Sequence, residues 1–220
     1  MRVLVIGASG GIGAAVMADY AQNGAEVLGL SRSRDGLDIT DEASISEVLG
    51  RVSGEFDTVF VATGALELGG VAPEKSLRAL TSAAMMQQFQ LNAMGPALVL
   101  KHSARLLPRN RPARFAALSA RVGSIGDNAL GGWYSYRAAK AALNQLMHTG
   151  AIELTRSHPQ SVVVTLHPGH VATPLSVKYG GTLPAVTAEA AAQNLRTVLE
   201  ALSPAETGGF FDWAGKPIVW

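Results

Sequence analysis

The chain has 220 residues, 48% of them hydrophobic, which is enough for one sizeable core and too apolar for a disordered chain. Its 18 Lys and Arg against 17 Asp and Glu leave no basic excess for nucleic acid, and the absence of Cys excludes a disulfide framework and thiolate chemistry. No apolar run reaches the ~20 residues of a membrane span and the start lacks a signal-peptide pattern, so a soluble cytoplasmic protein is expected.

Arg2–Ile6 reads as a short β-branched strand, and Ala14–Asn23 has the composition of a helix. Between them lies Gly7-Ala8-Ser9-Gly10-Gly11-Ile12-Gly13. Strand, glycine turn and helix are the layout of a dinucleotide site: glycines let the backbone approach a pyrophosphate, and the helix N-terminus offers it free N–H groups. The spacing G-x-x-x-G-x-G differs from the general G-x-G-x-x-G fingerprint, and a ligand-free glycine turn is the competing reading.

Glu26–Leu30 reads as a second strand. The residue at its end would meet the adenosine ribose, where an acid favours NAD. The chain instead reads Ser31-Arg32-Ser33-Arg34 there. Hydroxyls and guanidinium groups suit a 2′-phosphate, so NADP(H) is the expected cofactor, with NAD(H) as the alternative and two ordinary surface arginines as the competing reading of this stretch. Leu37–Thr40 looks like the next strand, but too few residues precede it for a crossover helix, which needs about 10–12, so this crossover is truncated. Asp41–Arg51 follows as a helix capped by Thr40 or Asp41.

Phe56–Ala62 reads as a buried strand ending in Thr63-Gly64, and Ser82–Leu107 as a long helix interrupted at Gly95-Pro96. Asn92 inside that apolar helix needs a partner, local or functional. Arg114–Leu118 is a short strand, followed by Ser119-Ala120 and a glycine-rich loop, Gly123–Gly132. A helix from Ser135 to about His158 carries Tyr136 and Lys140, four apart and so on one face. An ammonium beside a phenol favours the phenolate and lowers its pKa from about 10, making the pair a candidate general acid/base, with a chance pair on a solvated helix face as the competing reading. Gln160–Leu166 is the clearest buried strand, and His167-Pro168-Gly169-His170-Val171-Ala172-Thr173 follows it at a strand end that lines ligand crevices. Leu175–Val186 reads as a lid, Thr187–Leu202 as a helix capped by Thr187, and Gly208–Trp213 as the last strand.

This alternation predicts one doubly wound α/β domain over residues 1–220, a mostly parallel sheet of about seven strands with helices on both faces. The five histidines form no metal-ligand pattern, so no metal is expected, and the missing G-x-S-x-G elbow counts against an α/β-hydrolase.

Gly7-xxx-Gly11-x-Gly13, Tyr136-xxx-Lys140 and Pro168-Gly169, in that order, resemble the short-chain dehydrogenase/reductase family over nearly the whole chain. The segments RVGSIGDNALGGWYSYRAAKAALN and GGFFDWAGKPIVW look closest to its branch of C-factor-like proteins and Sniffer-like carbonyl reductases. The resemblance implies that Tyr136 is the proton donor to a carbonyl and that Lys140 holds the nicotinamide ribose. Asn92 would support a water relay to the lysine, and Asp38-Ile39 would sit beside the adenine. Gly7, Ser9, Gly10, Gly11, Ile12, Gly13, Ser31, Arg32, Ala62, Thr63, Gly64, Pro168, Gly169, Val171 and Thr173 complete the cofactor set. It also implies a homodimer or homotetramer acting on a small-molecule substrate; Trp133, Val171 and the 175–186 segment are the residues expected to shape the pocket.

The chain departs from the family at Val61-Ala62-Thr63-Gly64, in place of Asn-Asn-Ala-Gly, and at the catalytic serine. The family's S-x-x-G, aligned on Gly123, puts Ala120 where that serine belongs. Ser119 is one residue off register but is the substitute named here. The expectation is an NADP(H)-dependent oxidoreductase of small carbonyls. The rival is a cofactor-binding sensor with little turnover.

Overall fold

The computed structural model describes residues 1–172, 178–179 and 184–220. Six strands form one parallel sheet in the order β2-β1-β3-β4-β5-β6: β1 (Arg2–Ile6), β2 (Glu26–Leu30), β3 (Thr58–Val61), β4 (Ala113–Leu118), β5 (Ser161–His167) and β6 (Phe210–Asp212). The order reverses at β1: the chain steps one way to β2 and returns past β1 to β3. Such a switch point opens a crevice at the carboxyl ends of the strands.

Helix α1 (Gly11–Gln22) and α7 (Ala188–Ala201) cover one face of the sheet. Helices α3 (Glu42–Gly50), α5 (Gly95–Ser103) and α6 (Tyr134–Leu154) cover the other. The strands read as unbroken apolar runs because both faces are covered: β3 and residues Val162–Leu166 of β5 are buried throughout. Two caps expected from sequence form as expected. Asp41 accepts the Ala43 N–H and Thr187 accepts the Ala190 N–H.

Two expectations are corrected. Leu37–Thr40 is not a strand, so the sheet has six strands among the described residues rather than about seven. A four-residue helix α2 (Arg32–Asp35) replaces the crossover, and Leu37 and Ile39 drop into the core while Asp38 turns the chain into α3. The long helix does not break at Gly95-Pro96. Helix α4 (Ser82–Phe89) passes through a wide π-helical turn, Gln90–Met94, straight into α5. Pro96 has no N–H to give the Asn92 carbonyl four residues back, and the wider turn absorbs that loss.

Candidate active site

The glycine turn is built by close approach. Gly7 has φ 88° and its carbonyl accepts the Gly10 N–H at 3.0 Å. A Cβ on Gly13 would lie 2.2 Å from that same carbonyl oxygen, so α1 rests directly on the strand end. The N-cap of α1 is Gly10, which supplies no side-chain acceptor, and no acid stands in its first turn. Its leading N–H groups are left for an anion. Ser9, Gly10 and Gly11 are exposed beside it, and Ile12 is half-buried.

Thr63, which follows Ala62 at the end of β3, has a buried hydroxyl with no protein partner. Its methyl group lies 2.9 Å from where a Cβ on Gly7 would be. A buried unpaired hydroxyl is costly unless something occupies it, so glycine cradle, uncapped helix and orphan hydroxyl together fit a dinucleotide. At the end of β2, Arg32 is exposed and has no ion-pair partner among the described residues. Ser31 is buried instead, its hydroxyl accepting the Arg34 N–H as the cap of α2. Asp38 is likewise engaged locally: its carboxylate accepts the Thr40 hydroxyl and N–H, which hold its pKa below the usual carboxylate value. Ile39 packs in the core against Gly95, its carbonyl 2.7 Å from the position of a Cβ there.

Lys140, Asn92 and Gly64 converge from three elements. A Cβ on Gly64 (φ 142°) would lie 2.8 Å from Asn92 Oδ1 and 3.1 Å from Lys140 Nζ, so only glycine fits between them. Asn92 is fully buried and fully engaged: its Oδ1 accepts the Ala65 N–H, and its Nδ2 donates to Ala65 O and to Gln88 Oε1. Lys140 Nζ donates to Leu118 O at 2.9 Å, which leaves two of its three N–H donors for a ligand. It stands 5.8 Å from the Tyr136 ring centroid, as the i,i+4 spacing requires.

The electrostatics run opposite to expectation. Burial pushes the Tyr136 phenol up to about 12 and draws the Lys140 ammonium down to about 7. The sequence reading placed a charged lysine beside the phenol. In the folded protein Lys140 is buried and Tyr136 half-buried, which disfavours the charged form of each. Stability carries a matching signature. Unfolding returns Lys140 to its ordinary 10.5, so the unfolded chain takes up a proton between about pH 7 and 10.5, and stability rises with pH across that window. Tyr136 opposes this only above pH 10, where its raised value makes stability fall. The urea midpoint of the ligand-free protein is therefore expected to climb from pH 7 to 9.5, and Lys140→Met to flatten the climb.

Ser119, expected as the substitute for the missing serine, is engaged inside the protein. It is buried, and its hydroxyl donates to Asn144 Oδ1 at 2.8 Å, on the helix carrying Tyr136 and Lys140. Its contribution is structural: Ser119→Ala would leave Asn144, whose Nδ2 already lacks a partner, without its remaining contact. The expected loss is about 1–3 kcal/mol in chemical denaturation.

Pro168-Gly169 turns the chain after β5, with Gly169 against Trp213, and Val171 is buried and bridged to Val186. Thr173 lies outside the described residues, as does all of the expected 175–186 lid except Lys178, Tyr179 and residues 184–186. Tyr179 packs edge-on to Trp133 at 6.2 Å and donates to Glu67, which also accepts Lys178 Nζ. Trp133 in turn meets Tyr136 edge-on at 6.4 Å.

Sequence reasoning missed Gln88, Glu67, Arg137 and Glu74. Gln88 had a legible signal, four residues before Asn92 on one helix. Arg137 donates to the carbonyls of Val122, Gly131 and Gly132, clamping the glycine-rich loop onto α6. Glu67 and Glu74 had no local signal, because their partners are more than 60 residues away.

A doubly wound parallel sheet with a glycine cradle after its first strand and a tyrosine–lysine pair beside the crevice defines a dinucleotide-type oxidoreductase. The chain belongs to the short chain dehydrogenase family, which it matches over residues 1–182. It is 30% identical to the 1-hydroxy-2-glutathionyl-2-methyl-3-butene dehydrogenase of Rhodococcus sp. (strain AD45), over 99% of each chain. It is 34% identical to the C-signal protein of Myxococcus xanthus, over 62% of this chain and 78% of that one. Among solved structures, a short-chain dehydrogenase/reductase from Burkholderia multivorans with bound NADP superposes with a TM-score of 0.80 at 25% identity, covering 100% of this chain and 99% of the other. Among the described residues no three acids or histidines group as metal ligands, and no helix is long and apolar enough to cross a membrane.

Proposed function

We propose that the protein is an NADP(H)-dependent reductase of a small carbonyl substrate, with Tyr136 as the proton donor. The observation that carries this reading is the convergence of Lys140, Asn92 and Gly64 next to Tyr136. When bound, the nicotinamide supplies the hydride. The chain's residues do the rest. Gly7–Gly13 and the N-terminus of α1 would hold the pyrophosphate, Thr63 an oxygen nearby, and the two free Lys140 donors the ribose. Arg32, exposed and unpaired at the end of β2, supports NADP(H) over NAD(H), as does the NADP bound to the Burkholderia relative. With a pKa raised by burial, Tyr136 stays protonated at neutral pH, which suits it to donate to a developing alkoxide.

A second reading is favoured by one observation. Ala120 removes the family's hydroxyl and Ser119 does not replace it, so one donor to the oxyanion is gone, a loss worth about 10²–10³ in rate where it has been measured. A binding protein with little turnover, in line with the likeness to C-signal, would tolerate that loss. NADPH oxidation by the purified protein against a carbonyl panel that includes quinonoid dihydropterin separates the two. Turnover supports the reductase. NADPH binding without turnover supports the sensor, and no binding overturns both.

We also read the protein as a homodimer or homotetramer. Met85, Met86 and Phe89 on α4 and Leu146 and Ile152 on α6 are exposed apolar residues on the two helices the family pairs across a two-fold axis. A monomeric mass by light scattering would refute this.

A further inference from the structure

We propose that Glu74 is a positioning residue for Tyr136, acting from the loop before α4 through Ser135 and Trp133 at the start of α6. The inference rests on the reading of Tyr136 as the acid of the site. The start of α6 is unusual. Its N-cap residue is Trp133, which has no side-chain acceptor to offer and sits at φ 52°, the left-handed region that L-residues avoid. It is the only non-glycine with positive φ among the described residues. Strain of this kind persists only where the surroundings over-determine it.

Glu74 supplies that determination. Its main-chain oxygen accepts the Trp133 N–H at 2.6 Å. Its carboxylate accepts the Ser135 N–H at 3.2 Å and the Ser135 hydroxyl. Glu74 is only 6% exposed and has no cation within ion-pair distance among the described residues. A buried carboxylate is costly, and this one is stabilised by the two Ser135 donors and by the N-terminal end of a 21-residue helix.

The geometry leads directly to the reacting tyrosine. Ser135 precedes Tyr136 in the chain, and the Trp133 ring packs on the Tyr136 ring. Glu74 and Tyr136 also line one shallow depression with Leu66, Val71 and Gln88. Glu74 thus holds both residues that set where Tyr136 enters the crevice. Lys140, one turn further along, is fixed independently by Leu118 and Gly64. Losing Glu74 should therefore disturb the acid and spare the cofactor.

The test compares Glu74→Ala, Glu74→Gln and Ser135→Ala. Turnover is measured on the best carbonyl substrate, NADPH affinity by fluorescence, and the Tyr136 ring by 13Cζ-tyrosine NMR. Tyr136→Phe assigns that line among the four tyrosines. For Glu74→Ala we expect kcat to fall about 10–100-fold, the cost of small misplacement at a reacting centre. NADPH affinity should stay within about twofold, a change of well under 1 kcal/mol, and the Tyr136 line should shift or split. Glu74→Gln keeps one acceptor oxygen and should retain more than about a third of the rate with a near-native line. Should Glu74→Ala not fold, Ser135→Ala decides, since it removes only the hydroxyl contact and should lower kcat several-fold.

A variant that loses thermal stability while its kcat and Tyr136 line stay wild-type would overturn the proposal. So would NADPH affinity falling in step with kcat, which would show general collapse. If the wild-type protein turns over nothing, the reductase reading fails, and the Tyr136 line still decides whether Glu74 positions that ring.

Discussion

Replacing Tyr136 by phenylalanine is expected to lower kcat by about 10²–10⁴, the range a positioned general acid contributes. The substitution removes one oxygen and keeps the ring, so the edge contact with Trp133 at 6.4 Å survives. Lys140 keeps its bond to Leu118, and the glycine cradle is untouched. NADPH affinity should therefore change by less than about tenfold, and the effect should fall on kcat rather than KM. The size is raised by a feature of this chain. On the proposed reading, Ala120 at the serine position and the Ser119 bond to Asn144 make the phenol the principal donor to a developing oxyanion. Single-turnover kinetics with NADPH fluorescence in the same samples give both numbers. Wild-type rates in the phenylalanine variant would remove Tyr136 from the mechanism.

Gly13→Ala should be the most damaging alanine substitution among the described glycines. The new Cβ would stand 2.2 Å from the Gly7 carbonyl oxygen and 2.9 Å from its carbon, and both belong to backbone. Neither side can yield cheaply. Gly7 is tied to Leu30 by its N–H and to Gly10 by its carbonyl, while α1 is packed against α7. Helix α1 must lift from the strand end, and overpacking of this kind costs about 1–3 kcal/mol or more. The same displacement moves the free N–H groups of α1 away from the cradle, so NADPH affinity should fall by at least about tenfold, the equivalent of 1.4 kcal/mol. Urea denaturation and a fluorescence titration measure the two losses. Gly50→Ala is the control, because it stands at the end of α3 away from the cradle and a Cβ there meets nothing within 4 Å. Equal affinity in the two variants would show that the close approach at Gly13 has no part in binding.

The sequence by itself determined whatever rests on local spacing. Helical period put Tyr136 and Lys140 on one face, β-branched runs marked the strands, and the glycine cluster after β1 marked the cradle. The caps Asp41 and Thr187 were legible because a cap and its N–H partner are only a few residues apart.

The tertiary structure decided everything that depends on what a residue meets from afar. Leu37–Thr40 has strand composition, yet it lies outside the sheet because its apolar side chains find the core without pairing. The interruption of the long helix moved from Gly95-Pro96 to Asn92, where a wide turn absorbs the missing proline N–H. Ser119 was drawn to Asn144 across 25 residues, and Glu74 to Ser135 across 61. The expected pKa direction at Tyr136 reversed for the same reason. Spacing says which groups are neighbours, but desolvation depends on all the chain that folds over them.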